Sequence, residues 1–114
     1  PRAEDLPPDR LFDLAWQSQV LGRAIEILEE RLEARGKRPV FEVFCLYDLR
    51  PDGEEVSYEE LGERLDLKPD DVKNHLTLAR REYREAVRDV VADTVDSGED
   101  LKREMALLLG DTGE

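Results

Sequence analysis

Two punctuation marks, Ser57 and Pro69, restrict what this chain can fold into more than any other feature of it. Ser57-Tyr58-Glu59-Glu60 is a capping box: the hydroxyl can accept an N–H three residues on, and the Glu60 carboxylate can reach back. The helix it opens is short, because Pro69 has no N–H and fits only the first turn of a new helix. Asp70 and Asp71 then complement the positive end of that helix's dipole. Val72, Leu76, Ala79, Tyr83, Val87 and Val90 recur at steps of three and four, so the second helix is long and amphipathic. From Ser57 to Arg88 the pattern is a short helix, the turn Asp66-Leu67-Lys68 and a long helix, the helix-turn-helix arrangement. Leu61, Leu65, Leu67, Val72 and Leu76 supply its small core, and Gly62 falls where the two helices should cross. Asp66 occupies a turn position that asks for left-handed backbone, which Asp tolerates better than most residues.

The flanks are helical too. Leu11, Leu14, Leu21, Ile25, Leu28 and Leu32 mark an amphipathic helix from Asp9, a candidate N-cap, to Arg35, with Gly36 as its stop. Gly22 inside it costs about 1 kcal/mol against Ala and points to close helix packing there. Pro39 to Leu49 is apolar on every side and reads as a short buried helix, since no second strand exists to pair with it. Residues 50–55 form a loop by their Pro, Asp and Gly content. Ser97 or Asp96 caps a last helix with Leu101, Met105, Leu108 and Leu109 on one face. The expectation is an all-α single domain of five helices: a flexible lead over 1–8, N-terminal helices over 9–49, the helix-turn-helix over 57–88, a C-terminal helix over 97–109 and a frayed tail. Pro1 in place of Met reads as an excised or trimmed domain.

Leu, Ile, Val and Phe number 31 of 114 residues, enough to build a core although 40% of the chain is charged. The lone Cys45 forms no internal disulfide, and no secretory leader or membrane-spanning run is present, which points to the cytoplasm. A net charge of -12 argues against nucleic acid as a partner. Resolved along the chain, the charge says something different. Residues 68–88 hold six cations against four carboxylates, a local +2, so the remainder carries -14. Lys73, Thr77, Arg80, Arg81, Arg84 and Arg88 fall on neighbouring turns of the second helix, with Asn74 near its start, where base edges are read. Asn suits adenine and the cations suit phosphates; Asp70 and Asp71 oppose phosphate. The bland reading is a solvated face whose Arg side chains pair with Glu82, Glu85 and acidic neighbours.

The stretch from Val56 to Lys73, with Glu60-Leu61-Gly62, Leu65, Leu67 and Pro69-Asp70-Asp71-Val72-Lys73, resembles the C-terminal region four of the extracytoplasmic-function sigma factors of bacterial RNA polymerase. Leu78-Ala79-Arg80-Arg81-Glu82-Tyr83-Arg84 is similar to that region's Arg-rich second half, and the likeness extends over most of Leu11 to Leu109. It departs from the family at Asp66, where the turn Gly stands, and at Asp70 and Asp71, where small or hydroxyl residues stand. The family's polymerase-binding region two is not in this chain, which reads as a fragment or a stand-alone relative. The resemblance implies a helix-turn-helix reading promoter DNA through Lys68, Lys73, Asn74, Thr77, Arg80, Arg81 and Arg84, and an apolar surface docking on the β-subunit flap of RNA polymerase. An anti-sigma or other regulatory protein is a further partner it admits.

Elsewhere the residues offer little chemistry. His75 has no second His or Cys beside it, Cys45 lies among Phe41, Phe44 and Leu46 as an inert thiol, and no carboxylate pair or phosphate-binding Gly loop stands out. Trp16, between Phe12 and Val20, is a core residue or a partner anchor. The chain is therefore expected not to be an enzyme, and to use no cofactor, metal or membrane. The alternative is an acidic helical interaction or regulatory module that keeps the scaffold without DNA binding, docking a regulator or forming a homodimer through the Asp9 to Arg35 helix.

Overall fold

Helix ends, set by a handful of residues, organise the chain. A computed structural model describes residues 8–93 and 98–110, with side chains from Leu14 onward except that of Glu99. It contains five α-helices, α1 (Pro8–Ala34), α2 (Arg38–Tyr47), α3 (Tyr58–Leu65), α4 (Pro69–Ala92) and α5 (Gly98–Leu109), and no described residue lies in a strand. The all-α expectation holds. The lead before Pro8, the cap expected at Asp96 or Ser97 and the tail after Gly110 lie outside the described residues, whereas Asp9, expected as the N-cap of the first helix, already stands inside α1, which opens one residue earlier at Pro8.

α1 stops at Gly36, whose φ of 69° is the left-handed conformation glycine adopts most easily. Lys37 N–H donates to the Leu32 carbonyl at 2.8 Å and Gly36 N–H to that of Glu33 at 3.0 Å, so the exposed end of the helix is capped by its own turn. α3 begins where expected: Ser57 Oγ accepts the Glu60 N–H at 3.1 Å. Asp66 ends it at φ 58° and ψ 48°, and both Asp66 N–H and Leu67 N–H converge on the Gly62 carbonyl, the latter at 2.8 Å. An L side chain at that φ is strained, so Asp66→Gly should raise stability by about 1 kcal/mol, seen as a melting midpoint higher by roughly 4–8 °C. α4 is launched by the Lys68 carbonyl, which accepts from Asp71 N–H at 2.9 Å and Val72 N–H at 3.1 Å.

The chain divides into two compact units, Ile27–Arg84 and a second made of Pro1–Glu26 with Glu85–Glu114. In the Ile27–Arg84 unit, Leu28 and Leu32 of α1, Val40, Phe41, Val43 and Phe44 of α2, Leu61 of α3 and Val72, Leu76 and Ala79 of α4 are all buried. Val43, Leu61, Val72 and Leu76 form one cluster, with Leu46, Tyr47, Val56, Tyr58, Leu65 and Leu67 packed against it. α2 thus completes the small core that the α3–α4 pair cannot close alone, and each fully buried Leu or Val adds about 1.5–3 kcal/mol. Phe44 meets Tyr83 with ring centroids 5.2 Å apart.

In the other unit Val20, Ala24, Ala86, Val87, Val91 and Met105 are buried. Two expectations for α1 fail there. Leu14, placed on the apolar face, is 40% exposed, and nothing lies within 4 Å of where a Gly22 side chain would point. Val20 and Ala24, four residues apart, are the buried positions of α1 in this unit, and Gly22, two residues from each, lies on the opposite side of the helix.

Candidate nucleic-acid interface

α4 has two faces of opposite chemistry within the Ile27–Arg84 unit. Val72, Leu76 and Ala79 are fully buried, while Lys73, Asn74, Thr77, Arg80, Arg81 and Arg84 are all exposed, and Lys68 is exposed in the turn before them. At ~100° per residue the six exposed side chains lie within about 120° of arc, a single stripe along the helix. Thr77 Oγ1 donates to the Lys73 carbonyl at 3.1 Å, which fixes the rotamer of an exposed side chain. Asp70 is exposed at the stripe's N-terminal end and Asp71 is half-buried to one side.

Glu82, which by sequence dilutes the Arg-rich run, is turned inward. It is buried and pairs at 2.7 Å with Arg35, in the turn that ends α1. Glu82 is therefore not one of the carboxylates on the exposed stripe.

Arg80 makes a long-range pair. Its Nε and Nη2 each donate at 2.7 Å to the two carboxylate oxygens of Asp48, a bidentate fork from α4 to the end of α2. Its guanidinium also lies 5.8 Å from the centroid of the Tyr47 ring, and the Asp48 hydrogen bond holds it above the ordinary arginine value. Tyr47 is at the centre of a larger cluster: Arg50 is 4.6 Å from its centroid and Tyr58 5.2 Å. Arg50 in turn ties the following loop, donating from Nε to the Glu54 carbonyl at 2.8 Å and from Nη1 to the Tyr47 carbonyl. Sequence reasoning missed Asp48 and Tyr47, because the partner of Arg80 is 32 residues away in the chain and no local spacing joins them.

A second arginine-carboxylate group joins α1 to α2. Arg38 donates to Glu29 at 2.5 Å and Glu33 at 2.8 Å, lies near Glu42, and sits 5.1 Å from the Phe41 ring centroid. The Glu29 hydrogen bond raises its pKa above the ordinary value.

His75 and Trp16 are half-buried. Cys45 is also half-buried, and burial pushes its thiol pKa up. Less thiolate at neutral pH means slower attack, so Cys45 should alkylate several-fold more slowly than free cysteine and reach the free rate once the chain is denatured. Among the described residues no three His, Cys, Asp or Glu side chains gather to hold a metal ion, and no helix is long and apolar enough to cross a membrane. Comparison with family models, curated proteins and solved structures finds no match.

Proposed function

We propose that this chain is a non-enzymatic, sigma-factor-like transcription module that acts in the cytoplasm, binding promoter DNA through α4 in a helix-turn-helix with α3. The observation that carries this reading is the stripe Lys73, Asn74, Thr77, Arg81 and Arg84, exposed along its length and backed by the buried line Val72, Leu76 and Ala79. An amphipathic helix of this kind can enter a groove without disturbing the core behind it. Lys68, Lys73, Arg81 and Arg84 take phosphates, while Asn74 and Thr77, nearest the helix start, face base edges. The resemblance of residues 56–84 to sigma region four adds docking on the RNA polymerase β-subunit flap, and regulation by an anti-sigma-type protein, to the same proposal.

DNA retention measured against salt tests it. Three or four phosphate contacts predict a log-log slope of about -3. A chain that stays unbound at low salt, or one bound with no salt dependence, would leave the second reading, an acidic interaction or regulatory module. Exposed Asp70 at the stripe's leading end favours that second reading. A size measurement over a dilution series then asks whether the chain is a homodimer.

A further inference from the structure

We propose that Asp48 limits the affinity of this surface for DNA, acting as an internal substitute for a phosphate on Arg80. The inference rests on the α4 stripe being the DNA-binding face. Arg80 belongs to that stripe by position, yet two of its N–H groups already point at a carboxylate with the spacing they would use on a phosphate, both contacts at 2.7 Å.

Three features make the fork hard for DNA to displace. Asp48 is fixed by its backbone, whose N–H donates to the Phe44 carbonyl at 2.8 Å as the cap of α2, and Arg80 stands on a helix whose opposite face is buried. Neither partner therefore gives up much freedom in meeting the other, and an internal partner acts at high effective concentration. The Asp48 side chain is only 22% exposed, so leaving it without a cation strands a poorly solvated charge. The Tyr47 ring beside the guanidinium adds a cation–π attraction that favours the held position. A DNA phosphate reaching Arg80 would have to break all three. Arg80 then releases no counterion on binding, and the stripe works with one cation fewer than its sequence contains.

The test is a double-mutant cycle on the full chain with short mixed-sequence DNA duplexes, titrated over a range of salt. Asp48→Asn removes the charge and keeps the shape. It should bind several-fold more tightly at low salt, with the log-log slope steeper by about 0.9, the increment of one added phosphate contact. Arg80→Gln added to Asp48→Asn should return the slope to its starting value. Asp52→Asn, in the exposed loop that follows, removes an equal charge and should leave the slope unchanged. Circular dichroism checks folding, and Asp48→Ser repeats the experiment if the Asn variant loses helicity. A gain that persists when Arg80 is Gln, or that Asp52→Asn reproduces, is a long-range field effect and overturns the proposal. Weaker binding by Asp48→Asn overturns it as well, because Asp48 would then be holding Arg80 in place for DNA. If the parent chain and every variant fail to bind at low salt, the DNA-binding reading fails first, an outcome distinct from binding that ignores Asp48.

Discussion

Gly62→Ala should damage the Ile27–Arg84 unit severely, lowering stability by about 3 kcal/mol or more and the melting midpoint by more than 10 °C, on the order of 4–8 °C per kcal/mol. Gly62 is buried in the second turn of α3, and a methyl group there would overlap the Leu67 carbonyl oxygen, with the carbonyl carbon at 3.4 Å and that of Lys68 at 3.7 Å. The obstacle is backbone, and it is held in place. Leu67 N–H is bonded to Gly62's own carbonyl, Leu67 packs against the core cluster, and Pro69 starts α4 two residues later. Relief requires moving the turn, which moves α4 relative to α3. The same methyl group at Gly22, with nothing within 4 Å, should be neutral or stabilising by up to about 1 kcal/mol through helix propensity. Thermal melts of the two variants side by side separate the effect of the turn from any general effect of adding a side chain.

Lys73→Ala with Arg81→Ala should have the largest effect on DNA binding. A hydrogen bond to a charged group contributes about 1.5–3 kcal/mol, so each side chain is expected to contribute roughly tenfold or more in affinity, and the salt slope should fall by about 1.8. Both side chains are exposed on the stripe, so helicity and melting midpoint should change little. This pair is a cleaner test than one containing Arg80, whose loss would also strand Asp48. Unchanged DNA affinity in the double variant would remove α4 from the interface.

How legible these features were in the sequence differs by kind. The bounds of α3 and the start of α4 followed from Ser57 and Pro69, because capping and a missing N–H act within a few residues of where they are written. Gly36 and Asp66 likewise announced two left-handed turns. The importance of Gly62 was readable and its reason was not: the expected obstacle was a crossing helix, whereas the obstacle found is the carbonyl of the turn. Features that depend on distant partners could not be read at all. Glu82 looks in sequence like a solvated carboxylate among arginines, and only packing reveals that it is buried against Arg35. Arg80 looks like any other cation of the stripe until α2 is brought beside α4 and Asp48 takes it. Leu14 has the right spacing for an inward face, yet spacing does not say where the line of contact runs, and that line passes through Val20 and Ala24.

Whether the exposed stripe of α4 is the face that meets DNA, as proposed, can be read from amide NMR shifts recorded while a DNA duplex is added at low salt. Perturbations should concentrate at Lys68, Lys73, Asn74, Thr77, Arg81 and Arg84 and fade as salt is raised, with the loop around Gly53 and the exposed end of α5 near Leu107 left quiet. Perturbations centred on Leu107 or the loop with α4 silent, or none at any DNA concentration, would contradict the proposal.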